Sequence, residues 1–240
     1  MTESQGTLYG VGVGPGDPKL ITLKAMEVLS AAPVILAASS TKNEYSLALA
    51  AVREYVSPRA VIHLLPFPMT QNREELEEAW RRNAQLVKEI LDQGQDAAYI
   101  TLGDPLTYST YGYLLRAVRA LDPRVRVVTV PGVTAYHAAA ARLNLPLALG
   151  QESLTIIPGI NDEARIKDLS GGADTVVILK AYRNFHRIRE ALREMDLSDQ
   201  AVLISRCGLE DEQVTWGLNN GCGDKPPYLS LLIVRKGGPA

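Results

Sequence analysis

The sequence predicts an α/β fold. Strand-like runs of apolar and β-branched residues alternate with helix-like stretches almost from end to end, the pattern of layered sheet and helix. Several of those runs stop at glycine or proline turns, as strands do on leaving a sheet. The 240 residues, 46% apolar and 22% charged, suffice for one large domain or for two smaller ones meeting at a cleft, with a substantial core.

The elements follow in order. "TLYGVGV" reads as a first strand, and "PKLITLKAMEVLSAA" as a helix with Leu20, Leu23, Met26 or Glu27, and Leu29 on successive turns. "PVILAA" is a second strand. The clearest helix spans 73–93, where Leu76, Trp80, Val87, Ile90 and Leu91 share a side, and Glu77/Arg81 and Glu78/Arg82 are i,i+4 pairs on a solvated face. "AAYITLGDP" is a strand, "STYGYLLRAVRAL" a helix with Arg116 and Arg119 on its outer face, and "DPRVRVVTVPG" a strand introduced by a turn. That turn, Asp122-Pro123, is the expected hinge, dividing 1–121 from 122–240. Further strands fall near 153–158, 174–180 and 200–206, and "PYLSLLIVRKG" pairs back into a sheet. No internal repeat or low-complexity segment interrupts the pattern.

Composition narrows the function. A formal net charge of -2 leaves any anionic partner to a local cluster of Lys and Arg, which argues against non-specific nucleic-acid binding. The amino terminus "MTESQGTLYG" has no basic stretch followed by an apolar one, and "AAPVILAA" is too short to cross a bilayer, so the reading is cytoplasmic with no membrane partner. Cys207 and Cys222 lack a CxxC frame and read as reduced thiols. His63, His137 and His186 are scattered without metal-ligand spacing, and no metal is expected.

"LYGVGVGPGDP" invites comparison with a phosphate loop. A dinucleotide fingerprint needs GxGxxG opening a helix, so that the pyrophosphate meets the amides at its amino end. Counted from Gly12, the third glycine falls on Asp17; counted from Gly10, it falls on Pro15, which has no amide to donate. No acidic residue ends the second strand to hold a ribose, and Lys19 lacks the frame of a P-loop. The stretch is then either a tight structural turn or part of a shared site. "LGDPLTYST" at 102–110 and "VPGVTAYHAAAARL" at 130–143 are further turns at strand ends, where ligands of open α/β sheets bind, and the three would line one mouth.

Those three motifs, in this order and spacing, resemble the tetrapyrrole methylase family, the S-adenosylmethionine enzymes of corrin and sirohaem pathways. The resemblance covers nearly the whole chain. "LYGVGVGPGDPKLITLKA", "ITLGDPLTYSTYGYL", "VPGVTAYHAAAARLNLPLA", "ESLTIIP", "DTVVILKAYRN" and "PYLSLLIVRK" are similar to the branch that methylates C20 of precorrin-2 or cobalt-factor II, with "GDPLTYSTYGYL" the discriminating segment. The resemblance implies two α/β domains with a ligand cleft between them, a folded S-adenosylmethionine, release of S-adenosylhomocysteine and a homodimer. It places donor contacts on Leu102, Gly103, Asp104 and Leu106, on Thr134 and Ala135, on Leu179 and Lys180, on Cys207 and Gly208, and more loosely on Leu231 and Leu232. Cys207 stands where the family commonly has a small residue such as alanine.

The chemistry asks for alignment of a methyl with a nucleophilic carbon, then removal of a proton. Asp104 is read either as the group that moves the proton or positions the ring, or as the turn-forming Asp of Gly-Asp-Pro. His137 is a second candidate base. Gly14, Pro15, Gly16 and Asp17 would form a wall that a flat macrocycle can approach, with Asp17 capping the next helix and Pro18 at its first position as the structural alternative. Tyr108 and Tyr111, with Tyr113 beside them, would stack on the ring or bond its carboxylates, and at least one of the three is expected to pack into the core. Lys180, Arg183 and Arg206, each at a strand end, would anchor the ring carboxylates. The rival readings are a tetrapyrrole methylase acting at another ring position, a nicotinamide-dependent oxidoreductase, and a binding module without turnover.

Overall fold

The structure, a computed structural model, describes residues 5–40, 46–159, 162–219, 223 and 225–237; Cys222 lies outside them. The chain divides into two units, residues 1–134 and 135–240, each with its own sheet.

The first unit is a parallel sheet of β1 (Thr7–Gly12), β2 (Val34–Ser40), β3 (Val61–Phe67), β4 (Ala97–Thr101) and β5 (Arg126–Val130), in the order β3-β2-β4-β1-β5. Its helices are α1 (Leu23–Ala31), α2 (Leu47–Val52), α3 (Arg73–Asp92) and α4 (Tyr111–Leu121). Alternation along the strands separates two cores. Val11, Val13, Ile35 and Ala37 pack with Ala25 and Leu29 of α1 and Val52 of α2. Leu8, Leu36 and Tyr99 pack on the other face with Val87 and Leu91 of α3 and Leu114 of α4. The chain therefore leaves β1 toward one face and the neighbouring β4 toward the other. That makes the carboxyl ends of β1 and β4 the topological switch point of the sheet, where ligands of such folds bind.

β5 pairs in register along β1 from Thr7↔Arg126 to Val11↔Val130, so the first unit runs on to Thr134. Asp122-Pro123 is the connection from α4 to β5 inside that unit, with Asp122 accepting from the Arg124 amide at 2.9 Å, rather than the expected hinge. The helix expected from Pro18 starts later. Asp17 caps only a single turn, Pro18–Leu20, accepting from the Lys19 amide at 2.9 Å, and α1 begins at Leu23 behind its own cap, Thr22. The long helix spans Arg73–Asp92 as its periodicity predicts, although Glu77 pairs back to Arg73 at 2.7 Å rather than on to Arg81.

The second unit contains α5 (Ala135–Leu143), β6 (Leu154–Ile157), α6 (Glu163–Gly171), β7 (Thr175–Ile178), α7 (Phe185–Glu194), β8 (Ala201–Ser205), β9 (Gln213–Trp216) and β10 (Ser230–Arg235). The sheet order is β6-β7-β10-β8-β9, with β10 antiparallel to both β7 and β8. The final strand thus sits in the middle of the sheet, as the apolar run "LSLLIV" requires. Ile166, Phe185, Ile188 and Leu192 of α6 and α7 cover one face, and Tyr136 and Ala139 of α5 cover the other. Arg235, only 7% exposed, closes the strand by donating to the Pro146 carbonyl at 3.0 Å and to Glu152 at 2.9 Å.

Candidate functional site

In the first unit the loops after β1, β4 and β5 meet backbone to backbone. The Gly103 amide donates to the Gly14 carbonyl at 2.7 Å, and the Val13 amide to the Thr101 carbonyl at 3.0 Å. A Cβ on Gly12 would lie 2.6 Å from the Gly103 carbonyl oxygen and 2.7 Å from the Gly132 nitrogen. One on Gly132 would lie 2.8 Å from the Gly12 carbonyl carbon and closer still to the Gly103 oxygen. Only glycine allows the three chains to approach so closely. Gly10 serves another purpose: a Cβ there would fall on the Tyr111 ring, 2.5 Å from its hydroxyl oxygen.

Asp104 ties two of these loops together. One carboxylate oxygen accepts from the Leu106 amide at 2.9 Å and the Thr107 hydroxyl at 3.3 Å, and the other accepts from the Gly132 amide at 3.2 Å. This is the geometry of the turn-forming reading, with both oxygens in use. Beside it Gly103 has φ +69, and a Cβ there would meet only the Thr134 Cα, at 3.8 Å. Gly103 and Thr134 therefore flank open space over the strand ends. Leu106, 65% exposed, and Tyr108, 49% exposed with φ 52, stand on the same loop.

Tyr111 is not available to a ligand. It is 0% exposed, stacks against Tyr99 and shares a hydrogen bond of 3.1 Å with the Thr129 hydroxyl, so the ring contact expected of it gives way to core packing. Its neighbour Tyr113 stacks on Trp80, centroids 4.5 Å apart.

In the second unit the carboxyl ends of β7 and β8 and the amino end of β10 lie at one end of the sheet, held by the Arg206 amide donating to Leu229 at 2.9 Å and the Ala181 amide to Ser230 at 2.9 Å. Ser205 and Ser230 share a buried hydroxyl bond of 2.7 Å beneath them. Each of the three chain ends carries a non-glycine residue in the left-handed region: Lys180 at φ 53, Arg206 at φ 53 and Leu229 at φ 67. Such residues cost about 1 kcal/mol apiece and cluster where function requires them. Desolvation, and then the charge of Arg183, hold the Lys180 ammonium below its ordinary value. Arg183 also donates to the Tyr182 hydroxyl at 3.0 Å, and Tyr182 meets Tyr228 edge to face.

Arg206 is paired with Asp211, and Cys207 and Gly208 follow it. Burial first, then the charge and hydrogen bond of Glu212, push the Cys207 thiol up to about 11. Leu231 and Leu232 depart from the expected donor contacts: at 5% and 0% exposure they fill the cores on the two faces of β10. His137 is exposed on the first turn of α5 against the Tyr136 ring, centroids 4.6 Å apart. Glu212, Arg142, Tyr182 and Tyr228 are absent from the sequence-level expectations. In "RCGLEDEQ" the acids read as an ordinary charged loop, and nothing in their spacing singles out Glu212. Among the described residues no group of three or more His, Cys, Asp or Glu is placed to hold a metal, and no helix is long and apolar enough to cross a membrane.

The fold and these loops define a class: an α/β protein with irregular, backbone-rich loops at the carboxyl ends of its strands, the position of small-molecule sites in such sheets. The family model for tetrapyrrole (corrin/porphyrin) methylases matches residues 7–218, and the chain belongs to that family. It is 34% identical over 232 residues to the cobalt-precorrin-2 C(20)-methyltransferase of Salmonella typhimurium, covering 96% of this chain and 97% of that protein. It is 33% identical over 237 residues to the precorrin-2 C(20)-methyltransferase of a Sinorhizobium species, covering 95% of each. The fold is also that of uroporphyrin-III C-methyltransferase from Thermus thermophilus, solved with S-adenosyl homocysteine, at a TM-score of 0.66 and 23% identity over 96% of this chain and 98% of that one.

Proposed function

We propose that this chain transfers the methyl group of S-adenosylmethionine to C20 of precorrin-2 or of its cobalt complex in cobalamin biosynthesis. The observation that carries this reading is the near-complete, one-third identity to two C20-methyltransferases, one named for the cobalt complex and one for the metal-free ring. S-adenosylmethionine supplies an electrophilic methyl, so the protein's part is alignment. The donor contacts proposed are Leu102, Gly103, Asp104, Leu106, Thr134, Ala135, Leu179, Lys180, Cys207 and Gly208. The open face of Gly103 beside Thr134, and the left-handed backbone at Lys180 and Gly208 (φ 77), fit a ligand held through peptide groups.

Gly14, Pro15, Gly16 and Asp17 with Tyr108 are the ring contacts, and Lys180, Arg183 and Arg206 the carboxylate anchors. With the oxygens of Asp104 engaged on backbone and hydroxyl donors, that residue positions the loops, and His137 is the group that accepts the proton. The same reading carries a homodimer and a cytoplasmic location, the former tested by light scattering. Titration calorimetry with S-adenosylhomocysteine and with NAD tests the donor assignment: binding of the first alone is expected, and binding of NAD alone would replace it with the oxidoreductase reading.

A further inference from the structure

Glu212 makes an arrangement that the methyl-transfer reading does not use. Its side chain, 13% exposed, accepts from the Gly208 amide at 2.8 Å through one oxygen and from the Arg142 guanidinium at 2.7 Å through the other. The charge of the same carboxylate helps to raise the Cys207 thiol. The stretch it grips is an unusual one: Arg206 (φ 53) and Gly208 (φ 77) are both left-handed, with Cys207 between them. The loop also closes on itself, the Leu209 amide donating to the Arg206 carbonyl at 3.0 Å and the Glu212 amide to the Leu209 carbonyl at 3.1 Å.

Gly208 takes its left-handed φ freely, but Arg206 does not, and a charge-assisted bond to the Gly208 amide is among the stronger ways to fix the turn that holds them. Arg142 comes from α5 and keeps the carboxylate from turning to solvent. Burial works against the ionised carboxyl, but the Gly208 amide and Arg142 outweigh it and hold Glu212 below the usual carboxylate range. Asp211 meanwhile pairs with Arg206 through Nε, so two adjacent acids grip the two ends of one tripeptide.

We propose that Glu212 is a positioning residue for the methyl donor, fixing through the Gly208 amide the backbone of the Arg206–Gly208 turn, with Arg142 as its support. This rests on the reading that Cys207 and Gly208 contact the donor. A merely structural carboxylate would alter stability without preference between ligands. A positioning one alters the KM for S-adenosylmethionine while kcat and the KM for the tetrapyrrole hold.

The test has two arms. In a Cys222→Ser background, alkylation of Cys207 is timed with and without S-adenosylhomocysteine, and protection is expected. S-adenosylhomocysteine affinity is then measured for Glu212→Ala, Glu212→Gln and Arg142→Ala. Loss of a charged hydrogen bond predicts about tenfold weaker binding for Glu212→Ala, with Glu212→Gln recovering most of it because the amide oxygen still accepts from Gly208, and Arg142→Ala in between. If Glu212→Ala does not fold, Arg142→Ala decides, and wild-type affinity there overturns the proposal. Protection of Cys207 with unaltered affinity in every variant overturns the role of Glu212 and leaves the donor assignment standing. Absence of protection removes the donor contact itself, and the proposal with it.

Discussion

Gly132 and Gly112 look alike in the sequence and differ in what surrounds them. A methyl on Gly132 would meet the carbonyl of Gly103 and the backbone of Gly12, whereas one on Gly112, inside α4, would meet nothing within 4 Å. Gly132→Ala is expected to cost about 3 kcal/mol, read by denaturant unfolding, and to abolish S-adenosylhomocysteine binding, because backbone cannot yield as a side chain can. Gly112→Ala is expected to add about 0.5 kcal/mol. Asp104 and His137 separate in the same way. Asp104→Asn keeps an acceptor for one of the two loop amides and is expected to lower kcat by no more than about tenfold, while His137→Gln loses the base and should lower it by about a hundredfold. The converse ranking would return proton transfer to Asp104. With its thiol pushed up to about 11, Cys207 should alkylate more slowly than an unperturbed thiol below pH 9, by about tenfold once the greater nucleophilicity of its thiolate is counted.

The strands with one dominant signal were legible, whereas two of the edge strands, β3 and β9, were not. β4, β7, β8 and β10 are apolar runs buried along most of their length, and each falls where its composition predicts. β3 passes unread because it lies at the sheet edge, alternates poorly and contains Pro66, which an edge position tolerates. β9, the opposite edge strand of the second sheet, is largely exposed. α1 starts late because the Pro18–Leu20 turn takes up the residue, Leu20, that carries its first apparent repeat. In the loop between β8 and β9, Glu212 has a lowered pKa, so its contribution is present above the unfolded value near 4.3 and is lost as pH falls through the folded one. The melting temperature of the wild type should therefore exceed that of Glu212→Gln at neutral pH, with the gap closing below about pH 4. At the far end of β10, Arg235→Ala would leave Glu152 and the Pro146 carbonyl without their partner and is expected to cost about 3 kcal/mol.

Of the whole molecule, the α/β class was readable from alternation alone, and the family from three loop motifs. The unit limit was not. Asp122-Pro123 has the composition of a linker, but β5 returns to pair with β1, and that pairing depends on partners distant in the sequence. Nor was the division of labour within the glycine stretch. Gly10 makes room for Tyr111 and Gly12 for the backbones of Gly103 and Gly132, a distinction that spacing does not encode. The ring position is a property of the complete enzyme with its substrate, and it is the centre of the functional reading. The direct measurement is carbon NMR of the product formed from methyl-labelled S-adenosylmethionine with precorrin-2 and, separately, with its cobalt complex. One new labelled methyl at C20 with at least one of the two substrates is predicted; a methyl at another ring carbon, or no transfer to either, would contradict it.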